Sequence, residues 1–280
     1  MKLKEYQDLI NEKIEHQKYE DALKLARQAL KKYSTDYDLC ILTSNANARL
    51  GNFDESIKIL NKTIELYGNK SKPWAARGWI YWCKEDYINA DKDFNKATEL
   101  EKDNFDYQKL YGIIKYNLGQ FKEALEKYNK ALELGYKLDN SICSNMADSY
   151  FKLQNYNKAA ELYKKALKYK FNDINSLCSL AKCYKKLNDK NNLEKTLNKI
   201  IKIEPTEMFD DYEKGYFLYN IEKYNEAIIY FKKSIDKKME IDSSNSAMSL
   251  CCYKLQEYQK AYDYNEKAIE TVRDELKNKT

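Results

Sequence analysis

Residues 119–134 read Gly119-Gln-Phe-Lys-Glu-Ala-Leu-Glu-Lys-Tyr-Asn-Lys-Ala-Leu-Glu-Leu134. Phe121, Ala124, Tyr128, Ala131 and Leu132 stand three, four, three and one residues apart, which places them on one face of a helix. The same phrase returns along the chain. The small residue three places after the aromatic falls at Ala22, Ser56, Ala90, Ala124, Ala159, Ala227 and Ala261, with Leu193 in the one gap. The steps between them are 34, 34, 34, 35, 34, 34 and 34 residues. Three residues earlier stand Tyr19, Phe53, Tyr87, Phe121, Tyr156, Tyr224 and Tyr258, with Lys190 as the exception. Aromatics are 14% of the chain, so seven hits in eight by chance is on the order of one in a hundred thousand, and the period is real.

Each unit has a first half. Twelve residues before the small residue of the second helix lies another, at Ser44, Gly78, Gly112, Ala147, Ala181, Gly215 and Ser249, with Ile10 breaking the rule. Small residues facing each other let two antiparallel helices approach closely. Bulky neighbours such as Trp74, Tyr81, Tyr150 and Tyr184 fill the remaining space. Gly51 and Gly119 suit the left-handed residue that ends a helix. Ser71 and Pro73 predict the start of a first helix, and Pro205 the end of a second.

Trp74, Gly78, Tyr81, Tyr87, Ala90, Phe94 and Ala97 resemble the tetratricopeptide repeat (TPR) in residue type and spacing. The resemblance covers about residues 3–272. It implies an all-α fold of paired helices stacked into a right-handed superhelix, the first helix of each pair (helix A) lining the concave side and the second (helix B) the convex side. Members of the family mostly bind peptides or partner proteins. The units are expected at 3–36, 37–70, 71–104, 105–138, 140–173, 174–207, 208–241 and 242–273, with 274–280 a polar tail. A single elongated array over 3–273 is expected, each unit touching its neighbours. Unit 6 departs most: Lys190, Leu193 and Ile200 replace an aromatic and two alanines, and larger residues at the close contact predict spread helices and a local change in curvature.

Composition narrows the function. The 49 Lys and Arg against 44 Asp and Glu give a charge of +5 with the signs interspersed. No large basic field is expected, and the pairs Lys164-Lys165, Lys232-Lys233 and Lys237-Lys238 read as solvated convex faces rather than a nucleic-acid surface. The opening Met-Lys-Leu-Lys-Glu-Tyr-Gln-Asp lacks the apolar run of a signal peptide, and no stretch reaches transmembrane length. Seven cysteines without framework spacing fit a reducing compartment and small buried hydrophobes. A cytoplasmic location without membrane contact is expected.

Catalysis and metal binding find little support. His16 is the only histidine, no Cys-x-x-Cys occurs, and no glycine-rich phosphate loop is present. No cofactor is expected.

The resemblance directs attention to the groove. Carried over position by position, helix A supplies Trp79 and Trp82 in unit 3, Ile113 and Tyr116 in unit 4, Asp148 in unit 5, Lys182 in unit 6, and Tyr212, Tyr216 and Tyr219 in unit 7. Asn11, Asn45 and Asn145 are placed to grip a peptide backbone. Tyr116 and Tyr219 have the alternative of packing between adjacent A helices. The two-carboxylate clamp of chaperone-binding members is incomplete: units 1 to 3 give Gln7, Asn11, Leu42, Lys72 and Ala76, and units 4 to 6 give Lys109, Ile113, Asn145, Asn175 and Ser179. A hydrophobic peptide or helix suits the groove better than an acidic tail.

Three roles follow. The first is a non-enzymatic binding module holding a peptide or protein in the groove. The second is a structural subunit that assembles through its ends, and the third is a regulatory partner of an enzyme on another chain. For the second, the last helix is expected to run to about Val272 with a remainder too short and polar to cover it. Tyr262, Asn265, Ile269 and Val272 then form one stripe. This stripe is expected to contact a second copy across a two-fold axis; the alternative is a small patch tolerated in a monomer.

Overall fold

The structure, a computed structural model, describes the backbone of residues 1–203 and 208–277 and the side chains of 1–203, 211–274 and 276–277. The expected stop at Pro205 lies outside the described residues. Sixteen helices and no strand occur among the described residues. The chain divides into two compact units, Met1–Leu138 and Asp139–Thr280, at the position of the single 35-residue step.

The first unit holds α1 (Leu3–Glu15), α2 (Tyr19–Lys32), α3 (Tyr37–Arg49), α4 (Phe53–Tyr67), α5 (Ser71–Cys83), α6 (Tyr87–Leu100), α7 (Phe105–Asn117) and α8 (Phe121–Glu133). The second holds α9 (Asn140–Lys152), α10 (Tyr156–Tyr169), α11 (Ile174–Lys186), α12 (Lys190–Lys202), α13 (Met208–Asn220), α14 (Tyr224–Asp236), α15 (Ile241–Lys254) and α16 (Tyr258–Lys277). Odd-numbered helices are the A helices and even-numbered the B helices. Within each unit every A helix packs on the B helix that follows it.

Local chemistry sets the boundaries. Asp36, Asn104, Asp139 and Asp173 cap α3, α7, α9 and α11, their side chains accepting from the backbone N–H of Leu39, Tyr107, Ile142 and Ser176 at 2.8–3.1 Å. Asp86, Asn155 and Asp189 do the same for the B helices α6, α10 and α12. At α5 the helix starts at Ser71 as expected; the extended Lys70 stands at the cap position, and the Ser71 hydroxyl donates to Glu101 at 2.5 Å.

All eight turns from A to B share one motif. A residue with positive φ stands at 17, 51, 85, 119, 154, 188, 222 and 256, and only Gly51 and Gly119 are glycines. Around Gln154, its own N–H donates to Phe151 and the N–H of Asn155 to Tyr150, which satisfies two carbonyls at the end of α9. The repeat therefore demands the backbone shape six times of residues that pay for it in strain.

The close contact within a pair is where glycine is needed. A Cβ on Gly78 would lie 2.7 Å from Phe94 Cδ2, and one on Gly215 2.8 Å from Phe231 Cδ1. The first pair reverses the sizes: Ile10 is large, Ala26 is small, and both are fully buried. Ser44 and Ser56 stand at the small positions of α3 and α4, their hydroxyl oxygens 2.7 Å apart.

Polar groups also lie between helices. Arg77 of α5 donates from Nε and Nη2 to the two carboxylate oxygens of Asp93 on α6, both at 2.7 Å. Lys115 of α7 reaches Asp91 at 2.6 Å and Glu123 at 3.1 Å. The fully buried Lys214 of α13 donates to the carbonyls of Ile201 and Ile203 at the end of α12. A cation there meets the negative end of the helix dipole. All seven cysteines are free, and all but the half-buried Cys83 are buried.

Candidate functional site on the A helices

In the first unit, Asn45 of α3 and Trp79 of α5 line one cavity of about 320 Å³ with Lys72, Ala76, Ile80 and Tyr107. Three A helices build it. Trp79 is half-buried, and the Arg49 guanidinium lies 5.7 Å from its ring centre. Trp79, Trp82 and Ile113 meet at a second recess of only about 20 Å³, against Phe94 and Ile114. Trp82 is half-buried, and its Nε1 has no hydrogen-bond partner among the described residues. Both indoles pack on the core formed by Ala75, Phe94 and Tyr111, so they serve stability as well as surface. Asn11 is exposed on α1, apart from these cavities. Tyr116 is half-buried and meets Phe121 of its own pair edge-on, ring centres 5.4 Å apart.

In the second unit the aromatic residues of α13 form a ladder. Tyr212 stacks on Tyr216 at 6.5 Å between centres, and Tyr216 on Tyr219 at 6.4 Å. Tyr212 also leans on Phe231 and Tyr219 on Tyr224 of α14. Tyr216 is the exposed rung, at 44%. Burial, then the charge of Glu240, pushes the Tyr212 phenol above its usual range.

Asp148 of α9 accepts a hydrogen bond from the Tyr163 hydroxyl of α10. Burial raises its carboxyl above the usual range, and Tyr163 opposes that in part. Asp148 is thus engaged inside its helix pair. Asn145 is half-buried one turn before it.

Lys182 and Tyr216 come together at a cavity of about 390 Å³ formed by α11, α12 and α13. Its floor holds Cys178, Ala181 and Phe217, all buried, and its wall the half-buried Leu193 and Leu197. Composition explains the opening. Leu197 stands where Phe94, Tyr128, Tyr163 and Phe231 stand in other pairs, and Leu193 where they have alanine. Both Leu193 and the smaller Leu197 line the cavity, where a ring at position 197 would take up part of its volume. Reading the sequence found the irregular pair but not that its irregularity makes a cavity.

Models of the tetratricopeptide repeat match residues 13–80, 71–104, 141–173, 174–207 and 212–236. The chain belongs to the tetratricopeptide repeat family. Among curated proteins, tetratricopeptide repeat protein 13 of Homo sapiens is 35% identical over 85 residues, 30% of this chain and 10% of its own length. Hsp70-Hsp90 organizing protein 3 of Arabidopsis thaliana is 24% identical over 199 residues, 69% of this chain and 35% of its own length. The chain thus spans about a third or less of those two proteins. A tetratricopeptide repeat protein from Parabacteroides merdae superposes with a TM-score of 0.71 at 13% identity, over 89% of this chain and 98% of its own. That likeness is one of fold. Repeats of this kind generally serve as protein-interaction scaffolds, and no described helix of this TPR chain is long and apolar enough to cross a membrane.

The last pair corrects one expectation. Helix α16 continues to Lys277 rather than ending near Val272. Nothing in Arg273–Lys277 breaks a helix, and Lys277 pairs with Asp274 at 3.4 Å. Tyr262, Ile269 and Val272 are 61%, 38% and 43% exposed, and Leu276 extends their stripe. Of the matching residues of internal pairs, Leu125 and Leu167 are buried, Leu132 and Ile201 are half-buried, and Lys170 is exposed.

Proposed function

We propose that this TPR chain is a non-enzymatic scaffold that holds a peptide or protein segment against the surface of its A helices, in the cytoplasm. The observation that carries the reading is the pair of cavities of about 320 and 390 Å³. Each is built mainly by A helices, and each joins residues that the family resemblance marks as groove residues. Cavities of this size with apolar walls and few polar groups are where ligands bind. The incomplete carboxylate clamp favours a partner other than an acidic chaperone tail, although one relative is named as an Hsp70-Hsp90 organizer.

The test is capture from a native extract by three forms of the chain. Ala76→Arg with Tyr216→Arg blocks both A-helix cavities. Ile88→Arg with Ile229→Arg places the same charges on exposed residues of the B helices α6 and α14. The first variant is expected to lose the captured protein and the second to keep it; the reverse pattern would sink the reading.

A second reading rests on the stripe of Tyr262, Ile269 and Val272, which contacts a second copy of the chain. Light scattering over a concentration series tests it. A dimer abolished by Ile269→Glu is expected, and a strict monomer unchanged by that substitution would remove it.

A further inference from the structure

The cavity at α11, α12 and α13 has a length, a wall chemistry and a charge order. From Cys178 to Lys185 it follows α11 for about 10 Å at 1.5 Å per residue. Side chains at i, i+4 and i+7 of a helix cover the same span. The floor and wall are apolar, so the occupant presents an apolar stripe.

Charge then fixes direction. Helices α11 and α13 are both A helices and run the same way, so their C-terminal ends lie together. Lys182 and Lys185 line the cavity at that end, exposed and without an ion pair among the described residues. Glu222, in the turn after α13, leaves that end with a net charge of +1 (two Lys against one Glu). Glu213 lines the opposite end. An incoming helix places its positive N-terminal end beside the C-termini of α11 and α13 if it lies antiparallel to them. Acidic residues in its first turn then meet Lys182 and Lys185, and basic residues in its last turn meet Glu213. Those are also the charges a helix favours at its own ends.

Building on the scaffold reading, we infer that this cavity receives one amphipathic helix of a partner protein, antiparallel to α11 and α13. Its acidic first turn lies on Lys182 and Lys185, its three apolar anchors lie over Leu193, Leu197 and Phe217, and its basic last turn lies on Glu213. The irregular pair α11–α12 is thereby the specificity element of the second unit. At the equivalent place beside α5 and α6, where Phe94 keeps the aromatic, the recess holds only about 20 Å³.

The test uses the full chain and a stapled, fluorescently labelled peptide with Glu in its first turn, Leu at i, i+4 and i+7, and Lys in its last turn. A second peptide exchanges the end charges. Polarisation titrations should show the first binding about tenfold or more tightly than the second. Lys182→Glu with Lys185→Glu should reverse that order. Leu197→Phe gives this position the residue that α6 and α14 carry there, Phe94 and Phe231, fills the cavity and should weaken the first peptide about tenfold or more with the melting temperature kept or raised. The inference is overturned by no binding of the first peptide, by equal binding of the two peptides, or by binding indifferent to Leu197→Phe. A chain that dimerises through this cavity, with Leu197→Phe giving monomers and no peptide bound, also overturns it. Loss of this site alone leaves the scaffold reading standing if the Ala76→Arg substitution by itself still abolishes capture from extract.

Discussion

The ring of Tyr128 occupies the space where a side chain at Gly112 would begin: a Cβ there would lie 2.5 Å from Cε1 of the ring. The same relation joins Gly78 to Phe94 and Gly215 to Phe231. A glycine on the A helix and a ring on the B helix sixteen residues later form one packing unit, and the pair Ile10 and Ala26 shows the sizes can be exchanged.

Substitution at Gly78 tests this unit. Gly78→Leu should cost about 1–3 kcal/mol by overpacking. Adding Phe94→Ala, which copies the arrangement of Ile10 and Ala26, should return part of that loss. Denaturant titrations of the two single variants and the double give the coupling directly. Additive losses would show that the two residues do not share one volume.

The A-to-B turns make an opposite prediction. Gln154 holds a φ of 60° without being glycine. A left-handed non-glycine residue costs roughly 1–2 kcal/mol, of which glycine's extra freedom in the unfolded chain takes back part. Gln154→Gly should therefore stabilise by about 0.5–1 kcal/mol. Gly119→Ala, at a φ of 75° with open space around it, should destabilise by about 1 kcal/mol. Equal effects of the same sign would contradict the strain account.

Asp148 predicts a pH dependence. Burial raises its folded pKa above the ordinary 3.8, so the folded chain holds the proton more tightly than the unfolded one. The stability linked to this group is complete below the unfolded value and is lost as pH rises through the folded value. Asp148→Asn keeps a polar partner for Tyr163 and removes the titration. The variant should gain stability relative to wild type at neutral pH and lose that advantage as the pH falls towards 4. A difference constant across that range would refute the assignment.

The fold was legible because its information is periodic. Thirty-four-residue spacing of Ala124, Phe121 and their counterparts specifies pairs, and pairs specify the stack. The candidate site was legible in part: Asn45 with Trp79, and Lys182 with Tyr216, residues the resemblance singled out, each line one cavity. Asp148 is engaged by Tyr163, a partner on another helix that no single-helix pattern reveals. The six strained turns escaped notice because Gln154 and Glu85 have no compositional mark of a left-handed residue. The extent of α16 was misjudged because Arg273–Lys277 was read for polarity, although its residues are good helix formers.

The central claim, that a partner is held on the A helices, is tested most directly by hydrogen exchange of the chain with and without its captured protein. The account predicts slowed exchange in α3, α5, α11 and α13, with α6, α14 and the exposed stripe of α16 unchanged. Protection confined to the even-numbered helices would contradict it.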